Sequence, residues 1–182
     1  MIHRNRLLLA GALAGLLAGP VVAQEREPDH LGVVTAAISF LLQSEKGIPA
    51  EGVVISGTKV LELLLGRMPT EGAEAHLDQV AEALGYEVRA SEEVIRCTHR
   101  DACDLEDASA LLSWALPSFP GRDMALVRVT WLYSTKHPAG VSLGGDTVSV
   151  QLERRDGKWV VSGLGEREHF QMGPGRPGGG GR

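Results

Sequence analysis

The sequence predicts an α+β fold in which N-terminal helices pack on a mostly antiparallel C-terminal sheet. Apolar residues recur at helical spacing in the first half of the chain, around 28–46 and 70–85. In the second half, apolar and polar residues alternate as in half-buried strands, around 127–133 and 147–161. Helices that precede a run of strands, rather than alternating with them, are typical of α+β domains.

The first helix is predicted to begin at about Pro28 and to end near Gly47. Asp29 can cap its start. Three stop signals follow one another at the end, namely Lys46, Gly47 and Pro49. The stripe that faces the core comprises Leu31, Val34, Ile38, Leu41 and Leu42.

The second helix is predicted to follow Pro69, with Thr70 as N-cap, and to end at Gly85. Two apolar runs, 53–56 and 60–65, lie between the helices. The pattern favours a β-hairpin for them, although the Leu-rich second run also suits a short helical turn. The buried stripe of the second helix comprises Ala73, Leu77, Val80, Ala81 and Leu84.

Several strands are predicted in the C-terminal half. The run 127–133 alternates between apolar and polar residues, and the turn-forming residues of 134–140 indicate a loop after it. Gly144-Gly145 indicates a turn before the next alternating strand, 148–152. The apolar run 110–116 is predicted to add a further strand.

A two-residue hairpin is predicted at Asp156-Gly157. These residue types favour a type I′ turn, which requires positive φ at both central positions. The turn fixes the register, which places Trp159 on the apolar face of the sheet and predicts that it is largely buried. The predicted pairs are Arg155 with Lys158, Arg154 with Trp159, and Leu152 with Val161.

The segment Asp156-Gly157-Lys158-Trp159-Val160-Val161 resembles the last hairpin of the nuclear transport factor 2-like, or cystatin-like cone, superfamily. The resemblance covers about a quarter of the chain. It implies a curved sheet wrapped over helices around a pocket, which some members use for catalysis and others for binding or assembly. Two segments depart from the pattern, namely 53–65 and the loop that holds the cysteines. No catalytic residue of the superfamily can be carried over to this sequence.

Residues 1–23 predict a signal peptide. A basic start that contains Arg4 and Arg6 precedes the apolar run 7–17, and small residues reach Ala23, where cleavage is expected. The alternative is a membrane anchor, but the run is shorter than the roughly 20 residues that span a bilayer. We therefore expect a secreted or periplasmic protein with no membrane anchor after cleavage.

The remaining chain is expected to form a single domain over 24–172. Without the leader it has 16 basic and 23 acidic residues and a net charge of −7. Such a surface is a poor partner for nucleic acid. The last segment, 173–182, contains only Gly, Pro and Arg, so we expect a disordered tail.

The two cysteines, Cys97 and Cys103, are expected to form a disulfide in a polar loop. They are the only cysteines of the chain, and exported proteins fold where thiols are oxidised. Zinc is the alternative, since His99 and Asp104 lie close to both thiols in sequence. Because the disulfide is favoured, no metal site and no cofactor are predicted.

Three polar residues near a strand end are candidates for a pocket, namely Tyr133, His137 and Asp146. His137 follows the strand that ends with Tyr133, at the point where a cone pocket would open, and the three groups suit acid–base chemistry. The remaining histidines are predicted to be surface residues, or, for His169, to lie just before the tail.

The sequence contains none of the common local catalytic motifs, such as a nucleophile elbow, a phosphate-binding loop or a zinc-protease helix. We therefore expect a non-catalytic binding or interaction module whose partner is a protein or a small apolar ligand. The alternative is a small-molecule isomerase or hydrolase that uses the same concavity. The sequence does not determine the oligomeric state.

Overall fold

A computed structural model describes residues 28–45, 47–49, 51–57, 76–99, 102–137 and 140–172. The predicted signal peptide, the run 60–65 and the C-terminal tail lie outside these residues. The described elements are α1 His30–Gln43, β1 Val53–Ser56, α2 Leu77–Leu84, β2 Glu87–Arg89, α3 Ser91–Val94, β3 Ile95–His99, β4 Ala102–Leu105, β5 Ala110–Trp114, β6 Ser118–Gly121, β7 Met124–His137, β8 Gly140–Arg155 and β9 Lys158–Met172.

The two predicted helices are present. The Asp29 side chain caps α1 by accepting a hydrogen bond from the backbone N–H of Gly32 (2.9 Å). The second helix, α2, ends at Gly85, whose φ of 72° is the left-handed conformation that glycine adopts without strain. The predicted N-cap of this helix, Thr70, lies outside the described residues, and the described helix begins after His76.

The fold is α+β, as predicted. Seven of the nine described strands form one sheet in the order β2-β1-β5-β7-β8-β9, with β6 also paired to β7, and β3 and β4 form a separate two-stranded sheet. Pairing is antiparallel except at β1, which is parallel to both β2 and β5. The predicted hairpin over 53–65 is therefore wrong in its pairing, because β1 has a neighbour on each side and neither belongs to 60–65.

The strands β7 and β8 are longer than predicted. The segment Ser134–His137 continues β7 instead of forming a loop, and Gly140 begins β8. Gly144 and Gly145 lie inside β8 and pair with β7, so the predicted Gly-Gly turn is wrong. Aromatic rings explain the two glycines, since a Cβ at Gly144 would come 3.0 Å from the ring of Tyr133 and one at Gly145 would clash with Phe170.

The Asp156-Gly157 hairpin has the predicted conformation and register. Both turn residues have positive φ (51° and 78°). The predicted pairs of Arg155 with Lys158, Arg154 with Trp159 and Leu152 with Val161 are all formed. Further along, the register of β8 and β9 shifts twice, between Gln151 and Leu152 and between Val148 and Val150. Such bulges bend and twist the paired strands.

Each face of the sheet carries its own apolar cluster. The face covered by α1 and α2, here the helix face, contains the larger cluster, which includes Val129, Trp131 and Val148. Trp159 packs against this cluster but is partly exposed, so the prediction that it is largely buried is too strong. The opposite face, here the hairpin face, carries a smaller cluster that includes Leu132 and Leu143.

The cysteine segment is a β-hairpin and not the predicted polar loop. Cys97 of β3 and Cys103 of β4 pair directly opposite each other and form the predicted disulfide. Leu105 belongs to the cluster on the hairpin face, so the β3–β4 hairpin covers that face. No group of three or more potential metal ligands occurs among the described residues.

Among the described residues, no helix has the length and apolar character needed to cross a membrane.

Candidate functional site

Strand pairing brings together four polar side chains on the helix face, here named the Asp146 cluster (Tyr133, Asp146, Arg167 and His169). Asp146 of β8 pairs with Trp131 of β7 on one side and with His169 of β9 on the other. Directly paired residues project their side chains from the same face of a sheet. Tyr133 and Arg167 lie two residues from these partners along β7 and β9, and therefore share the face.

Asp146 is the centre of the cluster and is only 3% exposed. The Arg167 guanidinium donates a hydrogen bond to Asp146 Oδ2 (2.6 Å), and Nδ1 of His169 lies 3.1 Å from Oδ1. The Tyr133 hydroxyl lies 3.2 Å from the same imidazole nitrogen and also hydrogen-bonds to the carboxylate. A buried carboxylate needs such donors, because burial without them is costly.

These contacts keep Asp146 ionised. Burial acts to raise the pKa of Asp146, but hydrogen bonds from Arg167, His169 and Tyr133, together with the charge of Arg167, hold that pKa below its ordinary value. The pKa of Tyr133 is raised by its own burial and then by the neighbouring Asp146 carboxylate. The Tyr133 hydroxyl therefore stays protonated and remains a donor.

The cluster is open to solvent at its outer edge. The side chains of Arg167 and His169 are 40% and 59% exposed, compared with 4% for Asp146. Two aromatic rings lie directly beside these polar groups, those of the fully buried Trp131 and the partly buried Tyr133. The Arg167 guanidinium lies over the ring of Trp131, 5.0 Å from its centroid, and the Tyr133 ring lies 6.5 Å from that of His169.

Two of the three residues predicted from the sequence meet in this cluster, namely Tyr133 and Asp146. The third, His137, ends β7 four residues beyond Tyr133, which corresponds to about 13 Å along a strand. Its backbone pairs with Gly140, and its side chain lies outside what the structure describes. The histidine that contacts Asp146 is His169.

The sequence analysis did not identify Arg167 and His169 as site residues. The register of the Asp156-Gly157 hairpin did, however, point to Arg167. Extending the Asp156-Gly157 register without interruption places Arg167 opposite Asp146. The two bulges each shift the pairing by one residue, so that His169 takes that position and Arg167 pairs with Val148. Gly163 and Gly165 of β9 lie at the two bulges, and an isolated glycine within a strand pattern is a typical sequence signal of a bulge.

The histidines nearer the N-terminus form a separate contact. The rings of His30 and His76 stack with their centroids 5.8 Å apart, and Phe119 meets His30 edge-on at 5.2 Å. His30 is therefore not the plain surface residue that the sequence predicted. Burial, and then the neighbouring His76, lower the pKa of His30, whereas Asp29 acts in the opposite direction.

No protein-family model, no curated protein and no solved structure matches the chain. Fold and site together define an α+β domain with a polar cluster on the helix-covered face of its sheet.

Proposed function

We propose that the protein is an exported, non-catalytic binding module that holds a small, largely apolar ligand at the Asp146 cluster. Export rests on the predicted signal peptide over 1–23, and the Cys97–Cys103 disulfide is compatible with a secreted or periplasmic location. A chain that begins at Gln24 in secreted or periplasmic material supports export. A chain that retains Met1 in the membrane fraction contradicts it.

One observation carries the proposed site: a buried carboxylate on β8 is held by three donors, two of which, Arg167 and His169, are exposed to solvent on β9. Buried ion pairs are a weak source of stability, since desolvation offsets much of the attraction between the charges. Titratable groups with shifted pKa values that converge next to accessible surface are instead typical of functional sites. The partly buried ring of Tyr133 supplies apolar contact area beside the polar groups, whereas Trp131 is only 1% exposed and belongs to the core.

The site is tested by screening a small-molecule library by NMR against the mature protein and against an Arg167→Gln variant. Hits that bind at the cluster should lose affinity in this variant. The matched control is Arg155→Gln, which removes the same charge at the exposed hairpin end, where Arg155 pairs with Glu153. Hits that respond equally to both substitutions would place the ligand elsewhere.

A second candidate function, a small-molecule isomerase or hydrolase, is favoured by the contact between Asp146 and His169. A carboxylate that orients an imidazole is a common arrangement in acid–base catalysis. Conversion of library compounds, followed by NMR over hours, tests this function. Turnover that is lost in His169→Gln supports an enzyme, whereas binding without turnover supports the module.

We also propose that the resemblance to the nuclear transport factor 2-like superfamily reflects a shared architecture. The bulged β8–β9 pair and the packing of α1 against β7, β8 and β9 support it. The parallel strand β1 and the disulfide hairpin are the features that differ from the pattern.

A further inference from the structure

We infer that the ligand of the Asp146 cluster is a neutral small molecule that donates a hydroxyl hydrogen bond to Nε2 of His169. The inference rests on the proposed binding function and specifies the chemistry of the ligand. It follows from the direction of each hydrogen bond in the cluster and from the balance of charge around Asp146.

The hydrogen-bond directions begin at Asp146. An ionised carboxylate only accepts hydrogen bonds, and Asp146 is ionised because Arg167, His169 and Tyr133 all surround it. The guanidinium of Arg167 contains no acceptor atom, and it donates a hydrogen bond to Oδ2 (2.6 Å). We assign a proton to Nδ1 of His169, 3.1 Å from Oδ1, because a lone pair there would face the carboxylate. The Tyr133 hydroxyl, 3.2 Å from the same nitrogen, then donates to the carboxylate instead.

This assignment fixes the tautomer of His169. A neutral imidazole has one N–H and one lone pair, so a proton on Nδ1 leaves Nε2 as the acceptor. Nε2 has no hydrogen-bond partner among the described residues, and the side chain is 59% exposed. Nε2 of His169 is thus a hydrogen-bond acceptor without a donor among the described residues. A hydroxyl group of a ligand can donate a hydrogen bond to it.

The charge of the cluster selects against ions. The Asp146 carboxylate and the Arg167 guanidinium form an ion pair, so their charges cancel when His169 is neutral. A cationic donor, such as an ammonium group, would lie close to Arg167, and a carboxylate group lacks a proton to donate. A neutral hydroxyl on an apolar body fits both the Nε2 acceptor and the partly exposed ring of Tyr133.

The tautomer is tested in the unmodified protein, without any ligand. Nitrogen-15 NMR of the imidazole at pH 8 should show a protonated Nδ1 and an unprotonated Nε2 for His169. His30 is an internal comparison, because its Nδ1 has no hydrogen-bond partner among the described residues. A His169 ring that is protonated mainly at Nε2 would overturn the inference.

The ligand class is tested with two matched probes, phenol and anisole. Both have one aromatic ring, but anisole carries a methyl ether and has no hydroxyl proton to donate. We expect phenol to bind with an affinity about five- to tenfold higher than anisole, the effect of one hydrogen bond. In His169→Phe the two probes should bind equally, and folding of this variant is checked by its amide spectrum.

The outcomes separate the two proposals. Preference for phenol that disappears in His169→Phe supports the inference. Equal binding of both probes at the cluster overturns it and leaves the proposed binding function intact. Absence of binding by either probe up to its solubility limit contradicts both.

Discussion

At the scale of single residues, Asp146 shows how strand pairing creates a site that has no local sequence motif. Its three donors come from β7 and β9, and the hydrogen bonds outweigh the cost of burying the charge. Each donor alone is an ordinary surface residue type. Only the register of three adjacent strands makes them a cluster.

Replacing Arg167 by glutamine is expected to lower the free energy of unfolding by about 1–2 kcal/mol. The substitution removes an ion pair to a buried carboxylate, but the 40% exposure of Arg167 reduces its contribution through solvent screening. Urea denaturation at pH 7 measures the change. Arg155→Gln, in an exposed pair with Glu153, should change stability by less than about 0.5 kcal/mol; equal losses would contradict the assigned role of Arg167.

Gly145→Ala is expected to destabilise the fold by about 1–3 kcal/mol. A Cβ at this position would clash with the ring of Phe170 and come 2.9 Å from Leu132. The matched control is Gly163→Ala on β9, whose Cβ would meet only the flexible side chain of Gln151, at 3.3 Å from its oxygen. The melting temperatures of the two variants are compared by thermal unfolding. A Gly145→Ala protein as stable as the parent would disprove the close packing of Phe170.

At the scale of elements, the sequence predicted a strand wherever one face is apolar. Alternation identified the centres of β7 and β8, and the Asp156-Gly157 turn fixed their partner β9. The strand ends were missed, because the polar run Ser134–His137 and the two glycines of β8 look like turn residues. Their strand conformation depends on cross-strand neighbours, such as the rings over Gly144 and Gly145, which local sequence does not reveal.

Replacing both cysteines by serine is expected to lower stability by about 2.4 kcal/mol, the chain-entropy value for a closed loop of about seven residues. The fold should persist, because β3 and β4 remain paired and Leu105 stays in the cluster on the hairpin face. Intact mass of the unreduced parent should show the loss of two hydrogens and no metal. Free thiols with stoichiometric zinc would overturn the disulfide and restore the metal alternative.

Trp159→Ala is expected to lower the free energy of unfolding by about 3 kcal/mol, the lower end for a large aromatic residue, because the side chain is partly exposed. Trp159→Phe keeps most of the packing against Phe119, whose ring is 6.0 Å away. It loses the hydrogen bond from Nε1 to Asp29 (3.1 Å) and should cost about 1 kcal/mol. Chemical denaturation measures the stability of the two variants. A Trp159→Ala protein as stable as the parent would contradict the packing of the β8–β9 hairpin against α1.

At the scale of the whole molecule, the order of helices and strands predicted the α+β class, whereas the parallel strands and the disulfide hairpin were not predicted. Parallel pairing joins β1 to β2 and β5 across intervening helices and hairpin, so no local turn signals it. The β3–β4 hairpin is polar in sequence because only a few of its side chains, such as Leu105, reach the sheet. Contacts between segments distant in sequence therefore determine the parallel pairing of β1 and the position of the β3–β4 hairpin, which the sequence pattern did not predict.

Acid is expected to destabilise the molecule in two separate pH ranges. His30 has a folded-state pKa below its ordinary value of 6.5, so the unfolded chain binds this proton more readily, and stability falls as the pH drops below about 6.5. Its Nδ1 is buried without a hydrogen-bond partner among the described residues, and His76 lies stacked beside it, so protonation is disfavoured in the fold. Asp146 has a folded-state pKa below 3.8, so its contribution is present above pH 3.8 and is lost as the pH falls further.

Denaturation measured from pH 8 to pH 2.5 separates these two contributions. His30→Gln should remove the loss of stability that begins below about pH 6.5 while keeping the steeper loss in stronger acid. Asp146→Asn should retain the first loss and weaken the second, because the amide at this position no longer titrates. Both variants start from a lower stability at pH 8, so the comparison uses the change with pH within each protein and not the absolute values. A parent whose stability is unchanged between pH 8 and pH 5 would contradict the burial of His30 and its stacking on His76, since burial first and His76 second disfavour the proton.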